Sequence, residues 1–168
     1  IMSQLFLIGP MGVGKTTIGK KVAKRLGVEF RDTDKLIVAK HGPISEIFER
    51  QGEGKFRELE SNVLLEQAEF DGIVSTGGGI ILKPENYELL SKRAVVYLST
   101  GGKQMKTRML SSKKRPLLRN GYKDWVEIYE QRKPLYEGVN SKEISIDSRS
   151  LSSVADECVE FFRSLEDA

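Results

Sequence analysis

Residues 9–16 read Gly-Pro-Met-Gly-Val-Gly-Lys-Thr, the spacing G-x-x-x-x-G-K-[ST]. Glycines so placed let successive backbone N–H groups turn inward around phosphate oxygens, and a helix starting behind them adds a favourable dipole. In such a loop Lys15 bridges β- and γ-phosphates and the Thr16 hydroxyl ligates Mg²⁺, while Gly12, Val13, Gly14 and Thr17 complete the cradle. The motif predicts a nucleoside triphosphate site. Two branches of phosphate-loop proteins fit poorly. The nearest string to an Asn-Lys-x-Asp guanine reader is Asn140-Ser-Lys-Glu, which has the wrong order and the wrong last residue. Motor-type ATPases place an Asp after an apolar strand, whereas the third apolar run here ends Ser75-Thr76-Gly77. Small-molecule and nucleotide kinases remain.

Asp32 and Asp34 suit that chemistry. From an extended segment, i and i+2 side chains point one way. One carboxylate can hold the water shell of a metal while the other takes a proton from an attacking hydroxyl. Asp-x-Asp is also a common helix cap, and only the phosphate loop favours the catalytic reading. Gly77, Gly78 and Gly79 form either a flexible turn or a place where backbone N–H groups meet a substrate with no side chain between. Arg57 and Arg132 fall on predicted helices, where an arginine is ordinarily solvated surface. Between Gly101 and Lys123 lie Lys103, Lys106, Arg108, Lys113, Lys114, Arg115, Arg119 and Lys123 with no acidic residue among them. That block wants an anion, and composition alone does not choose between a nucleic-acid patch, a solvated face and a phosphate-covering lid.

These residues need strands and helices to bring them together. A short apolar run at 4–8 reads as a strand buried on both faces, and 28–31, 73–76, 94–98 and 144–146 read as four further short strands. Between them, helical periodicity predicts helices at 15–26, 35–40, 43–50 (capped near Ser45), 56–70, 84–91 and about 102–110, with 111–121 a loop around Pro116. A helix at 124–133 stops before Pro134. The last helix puts Leu151, Val154, Ala155, Cys158, Val159, Phe162 and Leu165 on one face, so Cys158 reads as core rather than nucleophile. Strands alternating with helices predict an α/β fold, three-layer α/β/α, on a five-stranded parallel sheet.

Bulk properties agree. The chain of 168 residues is 39% hydrophobic and 30% charged with formal net charge +3, which suits one globular domain and argues against disorder. One cysteine makes no internal disulfide, no apolar run approaches a membrane span, and the N-terminus lacks the pattern of a secretory signal. A cytoplasmic protein is expected.

The ordered strings GPMGVGKTT, DTD (32–34), GEGKFRELE (52–60), STGGG (75–79), RPLL (115–118) and QRKPLY (131–136) closely resemble the shikimate kinase family over nearly the whole length. The resemblance implies a phosphate-loop kinase fold akin to nucleoside monophosphate kinases, one domain over 1–168, a lid at about 110–122 and substrate-binding helices at about 33–61. It implies MgATP-dependent phosphorylation of the 3-hydroxyl of shikimate, a step towards chorismate and the aromatic amino acids, with one Mg²⁺ and ATP as co-substrate. Carried over residue by residue, Lys15, Asp34 and Arg115 are catalytic, and Asp34 holds the shikimate hydroxyls and is the candidate base. Arg57 and Arg132 bind the carboxylate, and Gly77, Gly78 and Gly79 give backbone contacts. Arg115 reaches the transferring phosphate, Arg108 stacks near adenine, Thr16 binds Mg²⁺ directly and Asp32 binds it through water. An adenine loop falls near 147–151, with no residue in it singled out. On this reading the basic block is lid, the partners are shikimate and ATP rather than nucleic acid or membrane, and monomer is the default. Another phosphate-loop kinase for gluconate or a nucleotide, and a non-enzymatic ATP- or nucleic-acid-binding module, are the competing readings.

Overall fold

The computed structural model describes residues 3–110 and 120–167, and the side chains of all of these but residues 108–110. Five strands, β1 (Gln4–Ile8), β2 (Phe30–Asp32), β3 (Gly72–Ser75), β4 (Val95–Ser99) and β5 (Lys142–Ser145), form one sheet in the order β2-β3-β1-β4-β5, every neighbouring pair parallel. β1, β3 and β4 are buried along their whole length, as apolar runs covered on both faces must be, whereas only Ile144 of edge strand β5 is buried. Helices α1 (Lys15–Leu26) and α7 (Leu151–Glu166) pack together, α1 against β1 and β3 and α7 against β5. Helix α4 (Pro84–Ser91) and helix α6 (Tyr122–Val139) pack together, with α6 against β4 and α5 (Met105–Leu110) beside it. The three-layer α/β/α fold expected from the sequence is the fold observed.

A second, smaller core lies apart from the sheet. Helices α2 (Thr33–His41) and α3 (Ile44–Glu66) pack Ile37, Ile47, Phe56, Leu59 and Val63 against one another. Cys158 is fully buried, and burial pushes its thiol up to about 12, so it is a core residue as its place in the apolar stripe suggested.

Several boundaries differ from expectation for identifiable reasons. The second strand runs 30–32 rather than 28–31, and α2 follows it directly: Asp32 is the N-cap, accepting the N–H groups of Asp34 at 2.9 Å and Lys35 at 3.2 Å. Asp34 therefore sits in the first helical turn and not on an extended segment. The helices expected at 43–50 and 56–70 are one element bent at Gly52, where φ is 83°, and it ends at Glu66. Its N-cap is Pro43, without the side-chain cap expected near Ser45. Helix α6 begins at Tyr122 and continues through Pro134 to Val139. Proline inside a helix costs about 3 kcal/mol. Burial of Tyr136 and Val139 beyond it, at about 1.5–3 kcal/mol each, is enough to hold the last turn. The fifth strand starts at Lys142, two residues early, in register with Val96 of β4. Leu165, at the end of α7, is exposed rather than part of the buried stripe.

Candidate active site

Because β2, β3 and β1 are neighbours in a parallel sheet, the segments leaving their carboxyl ends lie side by side. Those segments are Asp32–Asp34, Thr76–Gly79 and the loop 9–14. Together they floor a cavity of about 480 Å³, also lined by Met11, Lys15, Thr16, Thr17, Arg57, Glu60 and Arg132. Three apolar side chains from the second core, Ile44, Phe48 and Phe56, close one side.

The phosphate half is made of backbone. Gly12 and Gly14 hold φ of 84° and 100°, and Gly14 is the N-cap of α1 with no side chain competing for the N–H groups behind it. The buried Lys15 Nζ donates to the carbonyls of Gly9 at 2.7 Å and Pro10 at 2.9 Å, tying the ammonium inside the loop. Val13 does not line the cavity; its side chain is in the main core, so its backbone alone can serve a ligand. The Trp125 indole N–H, from the opposite face, donates to the Met11 carbonyl at 2.8 Å and holds the loop against α6. Leu151 approaches from the other side: a Cβ on Gly14 would stand 3.3 Å from its Cδ2. The nearby Asp147 accepts from Thr100 Oγ1 and from the Gly101 N–H, each at 2.6 Å, which anchors the 147–151 segment next to the loop.

Thr16 Oγ1 donates to Asp32 Oδ2 at 2.6 Å, so the two residues read as metal-binding are already in contact. No cluster of three or more His, Cys, Asp or Glu suited to a metal occurs among the described residues. A hydroxyl and a carboxylate at the rim of a phosphate cradle fit Mg²⁺, which takes one or two protein oxygens and completes its shell with phosphate and water. Asp32 thus has two jobs on two oxygens: Oδ1 caps α2 and Oδ2 faces Thr16. The cap reading of Asp-x-Asp is therefore observed at Asp32, on an oxygen that leaves the other carboxylate oxygen beside Thr16.

The other half, where the resemblance leads one to expect the acceptor, is made of charged side chains. Arg57, nearly buried, donates to Glu60 Oε1 at 3.0 Å and to the more exposed Glu53 Oε2 at 3.3 Å, with its guanidinium over the Phe56 ring. Arg132, equally buried, projects from α6, and burial lowers its pKa from the usual arginine value while leaving it the charged residue of choice. The glycine run is close-packed by these groups. A Cβ on Gly77 would stand 2.8 Å from Asp34 Oδ1 and 2.9 Å from Glu60 Oε2; one on Gly78, 3.4 Å from Arg132 Nη1; one on Gly79, 2.1 Å from Arg57 Nη1. The glycines are there because four charged groups converge on the same strip of backbone.

Sequence reasoning missed Glu60. It is 1% exposed, and its Oε2 has no hydrogen-bond partner among the described residues. Burial, with the Asp34 charge adding to it and Arg57 opposing it, pushes its carboxyl up to about 7. Its i, i+3 spacing from Arg57 was the available signal. Among the other expected site residues, Arg115 lies outside the described residues, as does the side chain of Arg108; most of the expected lid, 111–119, does too.

The comparisons with known proteins fall into line with this geometry. The shikimate kinase family model matches residues 11–163. The chain belongs to the shikimate kinase family. Relatives of that name include one from Actinobacillus succinogenes, 42% identical over 93% of both chains, and one from Streptomyces coelicolor, 42% identical over 89% of this chain and 90% of its own. Among solved structures, shikimate kinase from Acinetobacter baumannii in complex with shikimate superposes with a TM-score of 0.91 at 37% identity, covering 98% of this chain and 94% of that one. A gluconokinase from Sinorhizobium meliloti, at 16% identity and a TM-score of 0.66, shares the fold. The fold alone would leave the gluconate reading standing, and the family membership tells against it. Among the described residues no helix is long and apolar enough to cross a membrane.

Proposed function

We propose that this protein transfers the γ-phosphate of ATP to the 3-hydroxyl of shikimate, giving shikimate 3-phosphate and ADP. One observation supports it above others: a phosphate loop, an aspartate and two buried arginines line one small cavity, in a chain of this family. Shikimate carries one carboxylate and three hydroxyls. Arg57 and Arg132 offer planar, bidentate donors for the carboxylate. Asp34, across the glycine run from Arg57, accepts from the hydroxyls and takes the proton of the attacking one. The loop N–H groups and Lys15 hold the triphosphate, and Lys15 follows the charge that develops on the transferring group. Mg²⁺ would sit at Thr16 and Asp32 and would neutralise phosphate oxygens when bound with ATP. Arg108 and Arg115 complete the nucleotide side, Arg115 from a lid at about 110–122 that shuts water out during transfer. The helices at about 33–61 are the substrate-binding part, and the protein works as a single-domain cytoplasmic monomer with no nucleic-acid partner.

A coupled assay of ADP release with MgATP tests this, with shikimate, gluconate and nucleoside monophosphates as rival acceptors. Strong stimulation by shikimate alone is expected. Stimulation by another acceptor instead would overturn the substrate, and silence with all of them in protein that binds ATP would overturn the kinase reading.

A further inference from the structure

Behind the acceptor half, and outside the cavity, lies a buried tyrosine cluster that the reaction above does not use. Tyr136 is fully buried on α6, one turn beyond Arg132 and on the same helix face. Its ring stacks on Tyr97 with centroids 5.2 Å apart, and its hydroxyl donates to the Gly78 carbonyl. The Arg132 guanidinium neighbours that hydroxyl around one small void, and its Nη1 packs against Gly78. Tyr136 therefore touches the backbone, and neighbours the side chain, that face the acceptor.

The geometry of a trans peptide turns that contact into a constraint on the cavity. The Gly78 carbonyl and the Gly79 N–H belong to one planar unit and point in opposite directions. Holding the carbonyl towards α6 aims the Gly79 N–H away from that helix. A hydrogen bond accepted by the carbonyl also polarises the N–H of the same peptide and makes it a stronger donor. Glycine needs this help more than any other residue, since without a Cβ nothing local fixes the peptide plane. Burial holds the Tyr136 proton far above the ordinary phenol range, so the hydroxyl remains a donor at every working pH.

We propose that the Tyr136 hydroxyl is a positioning group that fixes the Gly78–Gly79 peptide plane and the Arg132 guanidinium together, and so sets how tightly the carboxylate end of the acceptor is held. The proposal rests on the acceptor reading given above. Tyr136 touches no reacting atom; it acts through Gly78 and Arg132. The nearby Tyr129 is the natural control. Its hydroxyl bonds Tyr97 at 2.6 Å and accepts the Thr100 N–H at 3.3 Å, in the same cluster but without touching Gly78.

The test uses Tyr136→Phe, which keeps the stacked ring, against Tyr129→Phe and the parent. In ligand-free, ¹⁵N-glycine-labelled protein, Tyr136→Phe should shift the Gly79 amide resonance while that of Gly72 stays put, and Tyr129→Phe should leave both in place. In steady-state assays Tyr136→Phe should raise the KM for shikimate about tenfold, the loss of one well-placed hydrogen bond, and leave the KM for ATP within about twofold. An unmoved Gly79 resonance, an equal rise in both KM values, the same effects from Tyr129→Phe, or failure of Tyr136→Phe to fold would each overturn the proposal. Parent enzyme that ignores shikimate would instead overturn the acceptor reading, and the resonance measurement would still decide whether Tyr136 sets the peptide plane.

Discussion

The two halves of the cavity are built on opposite plans. The phosphate half is one short stretch of chain, residues 9–17, whose donors are backbone N–H groups fixed by a strand before and a helix after. The acceptor half draws Asp34 from α2, Arg57 and Glu60 from α3, the glycines from the end of β3 and Arg132 from α6. Its charges are held by one another and by a separate small core. A backbone cradle is pre-organised by the fold as a whole. A cluster of buried charges is pre-organised by mutual contact, so each member matters for the placement of the rest.

The sharpest break in the phosphate half is Lys15→Ala. Its ammonium is the one side-chain cation seen inside the loop among the described residues, and its removal should lower kcat about 10³-fold with little change in the shikimate KM. Near-normal kcat would mean the backbone alone supplies the stabilisation. In the acceptor half, Arg57→Ala and Arg132→Ala should each raise the shikimate KM about 10²-fold and leave the ATP KM within about threefold. A matching rise in the ATP KM would dissolve the division between the halves.

The same contrast explains what was legible in the sequence. The phosphate loop, its strand and its helix are contiguous, so local spacing specified position and chemistry together, and the observed bounds of β1 and α1 are the expected ones. The parallel order of strands followed from their alternation with helices. The acceptor residues carry no such local signal: an arginine on a helix looks like surface until the fold buries it, and Arg57 and Arg132 were assigned only through the family resemblance. Glu60 was missed for a related reason: its i, i+3 spacing from Arg57 marks an ordinary helix pair, and its role comes from burial next to Arg57 and Asp34. The misplaced boundaries are also tertiary in origin. Pro134 fails to end α6 because Tyr136 and Val139 are needed in the core, and Asp32 starts α2 early because its carboxylate both caps the helix and meets Thr16.

A steric change in the glycine run should sharpen the picture at lower amplitude. The Cβ of Gly79→Ala would overlap the Arg57 guanidinium, at 2.1 Å from Nη1 and 2.6 Å from Cζ. Arg57 is pinned by Glu53 and Glu60 and could yield only by leaving them for the cavity, so overpacking of about 1–3 kcal/mol is expected. The shikimate KM should rise about tenfold and the Tm should fall by several degrees, read by kinetics and by thermal unfolding followed by circular dichroism. An unchanged KM would show that Arg57 can yield without consequence and that its observed pose is not the binding pose.

The smallest expected effect discriminates most finely, because it asks whether the acceptor half stores charge. Burial raises the Glu60 carboxyl from its ordinary 4.5 to about 7, so between those values the folded protein holds a proton that the unfolded chain has released. Stability contributed by that proton is complete below about pH 4.5, declines as pH rises through the window, and is gone once pH passes about 7. Glu60→Gln keeps a hydrogen-bond acceptor for Arg57 and abolishes the titration. Between about pH 5 and pH 8 the parent should therefore lose about 5 °C more in Tm than Glu60→Gln does, a difference of roughly 1–3 kcal/mol, with the other titrating groups common to both. Equal slopes would mean that Glu60 is ionised throughout, matched by Arg57 as any surface pair would be. The two halves of the cavity would then differ in the origin of their donors but not in how they carry charge.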